Sequence, residues 1–260
     1  MSALSELFST DEVARFQREG FLIASGLTDA DTVAEMKRTT ADGVVHNIEP
    51  IEYEADLHYP GAPVSRTATG GQTARRLKQA IARGPVFLDW MSRPEVLGRL
   101  RQLLGPRVVC PLAHHNCIMT KQPEFSSDTG WHQDNRYWSF ERPELISVWI
   151  ALGEERLENG GLMVIPGSHR LTYQARQFDD NKFFRGDLPE NEALIASRVP
   201  VVLHPGDVLF FHCLTLHAAS RNLTAEPKLS VVFTFRGGDN QPLPGSRSAS
   251  HPELLLTPGG

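Results

Sequence analysis

Three residues of this chain carry side chains suited to holding a divalent metal: His132, Asp134 and His217. Two imidazoles and one carboxylate fill one face of a metal ion and leave the other open to substrate, cosubstrate or oxygen, as in non-haem Fe(II) oxygenases. His132 and Asp134 stand two apart in Trp131-His-Gln-Asp134, so on a strand both side chains leave the same face. His217 ends the strand-like run Leu209-Phe-Phe-His-Cys-Leu-Thr-Leu-His217 and must reach the site from elsewhere in the fold. In one continuous strand it shares a face with Phe211, Cys213 and Thr215, while His212 points away. Cys213 on that face reads as a small buried hydrophobe rather than a thiolate ligand. The chain holds ten histidines. His114 and His115 are adjacent and face opposite sides of any strand, and His169 follows Pro166-Gly-Ser in a turn. For these three and His212, hydrogen-bonded structural or surface roles are expected, not ligation.

The elements that must position the triad change character near Val108. Before it, Ser9 or Thr10 caps a helix that Gly20 stops, Phe21–Ala24 reads as a strand, and a second helix runs from Thr28 to about Thr40. Residues 41–73 lack clean periodicity and suit a long loop over a barrel mouth. Residues 74–83 and 94–104 look helical, with Leu97, Leu100 and Leu104 at core spacing. From Val108 onward short apolar runs alternate with Pro, Gly and Asn. These are Val108–Cys110, His115–Thr120, Leu145–Leu152, Leu162–Ile165, Val199–Leu203, Asp207–Leu216 and Leu229–Phe235. Such a succession predicts a jelly-roll or barrel. The polar insert from Tyr173 to Ala196 is expected to be partly helical, and the Pro/Gly/Ser-rich tail from Gly237 to be poorly ordered or packed on the surface.

Length and composition narrow the function classes. The chain has 260 residues, is 40% hydrophobic and 22% charged, and is ordinary for a soluble globular protein. A net charge of -5 gives no electrostatic footprint for nucleic acid or an anionic membrane. No apolar run approaches the roughly 18–20 residues of a membrane span. The N-terminus lacks a basic start and an apolar h-region, which argues against a secretory signal. Three cysteines without C-x-x-C spacing read as reduced thiols in a cytoplasmic protein.

The context of the triad is more specific than the triad. Trp131-His-Gln-Asp134 is followed by Arg136-Tyr-Trp-Ser-Phe140, the apolar stretch Leu145–Leu152 and Asn159-Gly-Gly-Leu-Met-Val-Ile-Pro-Gly-Ser-His-Arg170. In this combination the chain resembles the phytanoyl-CoA dioxygenase family of Fe(II)/2-oxoglutarate oxygenases, from about Leu7 to about Gly238. The resemblance implies a mainly β protein with flanking α-helices around a double-stranded β-helix, the jelly-roll or cupin-like core. It implies one oxygenase domain over 1–238, mostly helical over 1–104 and double-stranded β-helix over 105–238, with 239–260 as a tail. It implies Fe(II) at His132, Asp134 and His217, with 2-oxoglutarate and O2 as cosubstrates. The products are then succinate, carbon dioxide and an oxidised small molecule. Halogenating relatives lack the carboxylate, so Asp134 favours hydroxylation or a related oxidation.

The resemblance also marks where the cosubstrate's distal carboxylate is held, usually by an arginine giving a bidentate bond. In the family that arginine lies eleven residues after the distal His, behind an Asn, a Ser or Thr, and a Pro. Here Asn222, Thr224 and Pro227 fall in register, but the cation is Lys228, and Ala219 stands where a small hydroxyl residue is expected. Arg221 is the other candidate anchor. Trp149 matches a family Trp beside the keto-acid pocket, and Asn116 is placed to hydrogen-bond the keto acid. Arg136, Tyr137 and Trp138 are candidate substrate contacts, Arg136 for an acidic group. Two other classes stay open: a cupin-like dioxygenase or isomerase that uses no 2-oxoglutarate, and a non-catalytic β-sandwich binding module. An open three-ligand face argues against the module, since structural metal sites tend to be closed.

Overall fold

Ser9 opens the first helix. Its hydroxyl accepts from the Glu12 backbone N–H, and Glu12 accepts the Ser9 backbone N–H at 2.8 Å, so two free donors of the first turn are satisfied. The helix stops at Gly20, whose φ of 83° is left-handed and where a Cβ would lie 2.4 Å from the His169 ring. In the computed structural model, which describes residues 7–258, the order is α1 (Thr10–Glu19), β1 (Phe21–Ala24), α2 (Ala30–Val45), β2 (Ile51–Tyr53) and β3 (Ala74–Lys78). Then follow α3 (Pro85–Met91), α4 (Pro94–Leu104), β4 (Val108–Pro111), β5 (Asn116–Lys121), β6 (Thr129–His132), β7 (Leu145–Ala151) and β8 (Leu162–Val164). The last elements are α5 (Pro189–Ile195), β9 (Val199–Pro200), β10 (Val208–His212), β11 (His217–Ala219), β12 (Lys228–Gly237) and β13 (Glu253–Leu255).

Two antiparallel sheets make the jelly-roll. The larger runs β1-β10-β7-β12-β5-β3-β2, with β4 also on β12 and β13 on β4; the smaller runs β6-β11-β8-β9. Every residue of β7 is buried, because both faces of this central strand are covered. Its Val148 and Ile150, with Phe210 and Phe233, pack under the helices against Met36, Phe87, Trp90 and Leu97. Each such fully buried side chain contributes about 1.5–3 kcal/mol. The alternate residues, Trp149 and Ala151 with Leu209, Phe211 and Val232, face Leu162, Val164 and Ala219 of the smaller sheet. The mainly β, helix-flanked architecture is therefore the expected one. Among the described residues no helix is long and apolar enough to cross a membrane.

Several local expectations are corrected. Residues 74–83 do not form a helix: Ala74–Lys78 is β3, paired between β2 and β5, and only Ala80–Arg83 coils, as a 3-10 turn. Sheet pairing overrides the helix propensity of Ala-Arg-Arg-Leu-Lys here. The segment 41–73 holds β2, so the first 104 residues contribute three strands to the larger sheet. The run Asp207–Leu216 is not one strand. β10 ends at His212, the chain turns, and His217 begins β11 in the other sheet. The parity that put Cys213 on the His217 face is broken by that turn, and Cys213 packs with Phe140 and Leu145, its Sγ donating to Pro143 O at 3.3 Å. The tail is ordered in part by pairing: β13 joins β4, and Glu253 accepts from Arg236 Nε at 2.8 Å.

Candidate metal centre

His132 and His217 face each other as cross-strand partners on β6 and β11, their ring centroids 4.2 Å apart. Each ring is fixed by a backbone carbonyl at Nδ1: Gly130 O at 2.8 Å for His132 and Thr215 O at 3.0 Å for His217. That contact sets the tautomer with hydrogen on Nδ1 and leaves the Nε2 lone pair free. β6 ends at His132, and Asp134 opens the 3-10 turn Asp134–Tyr137, so it is this turn rather than strand alternation that brings the carboxylate beside the imidazoles. Asp134 Oδ1 lies 3.8 Å from His132 Nε2 and 3.5 Å from His217 Nε2, while Oδ2 accepts from Ser147 Oγ at 2.5 Å. All three residues are buried, and one donor atom from each lies within 4.8 Å of the others.

The electrostatics suit a cation. Burial, and then the nearby His217 and Arg136, hold His132 well below its ordinary pKa, so it is a neutral donor at pH 7. Burial disfavours the Asp134 carboxylate, but His115 and His217 outweigh it and keep the group well below the usual carboxylate range. Two imidazole nitrogens and one carboxylate oxygen, each residue with its second polar atom engaged, fit Fe(II) as a facial triad.

His115, expected to be structural, sits at the centre. Its Nε2 is 2.9 Å from Asp134 Oδ1, and burial, which opposes its charge, is outweighed by that carboxylate, raising its pKa to about 9. Strand parity foretells this: His115 alternates with Cys117 and Met119, which face the barrel interior. The same parity turns Asn116 outward, and its Oδ1 accepts from Ile81 N at 3.0 Å, so Asn116 does not face the triad. Arg221 is no anchor either. It is a surface residue paired with Asp128, Nη2 to Oδ2 at 2.6 Å.

Lys228 is buried on the inner face of β12, its ammonium 4.8 Å above the Trp149 ring. Its partner, which no motif announces, is Glu155, fully buried and accepting from Lys228 Nζ at 3.2 Å, Ser230 Oγ at 2.6 Å and Trp149 Nε1 at 3.0 Å. On the opposite side Arg136 lies over the rings of Phe183 at 4.4 Å and Tyr137 at 5.1 Å, and its Nη2 donates to Tyr59 Oη at 3.3 Å. Phe183 in turn meets the His132 ring at 5.9 Å. Tyr137 is itself largely exposed, its hydroxyl on Asn181 O at 3.1 Å, and Trp138 packs edge-on to His115 at 5.5 Å.

A jelly-roll carrying two histidines and one carboxylate on a wall between its sheets defines the facial-triad class of non-haem metal site. Residues 16–230 match the family described as phytanoyl-CoA dioxygenase (PhyH), and the chain belongs to that family. It is 26% identical over 250 residues to ectoine dioxygenase of Sphingopyxis alaskensis, covering 90% of this chain and 77% of that one. It is 31% identical over 161 residues to the human peroxisomal phytanoyl-CoA dioxygenase, covering 58% of this chain and 46% of the human protein. The crystal structure of EctD from S. alaskensis with 2-oxoglutarate and 5-hydroxyectoine superposes with a TM-score of 0.73 at 22% identity, covering 91% of this chain and 78% of EctD. EctD thus shares the mainly β fold described above.

Proposed function

We propose that the protein is an Fe(II)- and 2-oxoglutarate-dependent dioxygenase that oxidises a C–H bond of a small organic molecule bearing an acidic group. The observation that carries the reading is the triad: His132, Asp134 and His217 each present one donor within 4.8 Å of the others, and each has its remaining polar atom bonded elsewhere. Bound there, iron would supply the redox chemistry that couples decarboxylation of 2-oxoglutarate with O2 to oxidation of the substrate. Ser147 holds the carboxylate in place at Oδ2, and His115 Nε2 supports it at Oδ1 from 2.9 Å. The acidic group follows from Arg136: among the described residues its buried Nη1 has no hydrogen-bond partner, and a buried unsatisfied donor is costly until a ligand takes it. A planar guanidinium held between aromatic rings beside His132 suits a carboxylate.

The test is an anaerobic titration of metal-free protein with Fe(II) and then 2-oxoglutarate, read as the visible charge-transfer band of a chelated keto acid. Appearance of the band, and its loss in His217→Ala, supports the reading and opens a screen of acidic against neutral substrates by succinate release. Stoichiometric iron binding without a band would favour the metalloenzyme that uses no keto acid. One observation speaks for that second reading: Lys228 is already paired with Glu155.

A further inference from the structure

Lys228 has a neighbour of like charge. In the antiparallel pairing of β12 with β5, Lys228 and Lys121 are direct Cα partners, so both side chains leave the same face of the sheet. Both are buried, at 3% and 4% exposure, and like charges directly opposite one another are destabilising even on a surface. The carboxylates nearby do not balance them. Glu155 serves Lys228, Glu54 is bonded to Ser127 Oγ at 2.5 Å and lies 3.5 Å from the buried Arg75, and Asp128 is held by Arg221. Among the described residues Lys121 has no carboxylate within ion-pair distance, and its Nζ donates to the Ser127 carbonyl at 2.5 Å. Arg75 is met by Glu54 and also by Glu52 at 3.6 Å, and Lys228 by Glu155, so of the three buried cations here it is Lys121 that lacks a carboxylate partner among the described residues.

β7 sets the spacing between the triad and the Lys228 ammonium. Ser147, which holds Asp134 Oδ2, and Trp149, over which Lys228 lies, are consecutive inward residues of β7. Two residues along a strand span about 6.6–7 Å. We propose that Lys121 is a further cosubstrate-binding residue, its ammonium sharing with that of Lys228 the distal carboxylate of 2-oxoglutarate. This rests on the cosubstrate reading given above. The incoming carboxylate would give Lys121 an anionic partner without displacing Glu155 from Lys228, so a lysine already engaged in an ion pair can still serve at the anchor. Gly160 fits the same picture: its φ is 85°, and a Cβ there would press within 3.2 Å of the Lys121 stem and 2.8 Å of Ser220 O.

A proton is part of the binding event. Burial first, then Arg75 and Lys228, lower the Lys121 pKa to about 7, against the raising influence of Glu54 and Asp128. Below that pH the ammonium is ready for an anion; above it, binding must take up a proton. The 2-oxoglutarate Kd should therefore rise about tenfold between pH 6 and pH 8.

The experiment is the charge-transfer titration of the Fe(II)-loaded full chain under anaerobic conditions. Its two ligands are 2-oxoglutarate and 2-oxobutyrate, which has the same chelating end and no distal carboxylate. Lys121→Met is expected to weaken 2-oxoglutarate about 10- to 100-fold, the worth of a charged hydrogen bond, and to leave 2-oxobutyrate unchanged. Lys121→Arg should keep the affinity and lose the pH slope. The ratio of the two Kd values cancels titration of the metal ligands. A Lys121→Met protein that binds both acids like the unmodified one overturns the assignment, while the cosubstrate reading stands. If that variant does not fold, the unmodified protein decides: a ratio flat from pH 6 to pH 8 overturns the assignment as well. No band with either acid, despite bound iron, removes the cosubstrate reading and this inference with it.

Discussion

Replacing Glu155 by Gln tests whether that carboxylate is the permanent countercharge of Lys228. The pair is almost wholly excluded from water, each side chain being 1% exposed. The amide keeps the shape and can still accept from Trp149 or Ser230, but the negative charge is gone, and Lys228 is left buried against Lys121. Removing one partner of a buried pair costs about 3–5 kcal/mol, because the other charge remains unpaired. At this chain length each kcal/mol moves Tm by about 2–4 °C, so Glu155→Gln should melt about 10 °C below the unmodified protein. The double variant Glu155→Leu/Lys228→Met, which removes both charges, should come back to within about 1–2 kcal/mol of it. The assay is thermal melting with and without 2-oxoglutarate on the Fe(II)-loaded protein. Added 2-oxoglutarate supplies the missing carboxylate, so it should raise the Tm of Glu155→Gln more than that of the unmodified protein and do least for the double variant. Were Glu155→Gln to melt within 2 °C of the unmodified protein and gain no more from the ligand, the charge balance argued for this cavity would be wrong.

Three further outcomes follow from the geometry. Ser147→Ala frees Asp134 Oδ2 and should weaken metal binding about 10- to 100-fold with little change in fold, measured by competition with a chelating dye. Arg136→Gln should raise KM for an acidic substrate and leave the 2-oxoglutarate Kd untouched; an unchanged KM would remove Arg136 from the substrate side. Asp29 caps α2, accepting Thr32 N at 2.9 Å and pairing with Arg93, and the Thr32 bond is the first cause of its depressed pKa. Its stabilising contribution is present above the ordinary carboxylate range and lost as pH falls through the depressed value. Asp29→Ala should cost about 1 kcal/mol at pH 7 by denaturant titration and Asp29→Asn less, with the gap between Asp29→Ala and the unmodified protein closing in acid.

The elements read well from the sequence are those whose local and long-range preferences agree. α1 carries both its cap and its glycine stop, α4 its leucine spacing, and β7 is an apolar run bounded by Pro143 and Gly153. The triad was legible because ligand chemistry restricts residue types. What stayed hidden depends on contacts between distant segments. Residues 74–78 are a strand only because β2 and β5 flank them, and the break between His212 and His217 exists because the chain changes sheets there.

The anchor region was hidden for a different reason. Lys121 and Lys228 are far apart in sequence and look like ordinary strand-end lysines, which are usually solvated. Glu155 follows another glutamate in a turn and carries no motif. Only the register of β5 on β12 sets the two ammonium groups on one inner face, and only the bridge of Glu155 to Leu203 beside that face tucks a carboxylate under one of them. Where the resemblance leads one to expect a single arginine, Lys228 is bonded to Glu155 and Ser230, and Lys121 is its cross-strand partner. An arginine brings one permanent charge and a fork of donors. The two lysines and Glu155 together bring the same net charge, but burial and the neighbouring Arg75 and Lys228 lower the Lys121 pKa to about 7, so under the proposed assignment the grip on a carboxylate would weaken as pH rises.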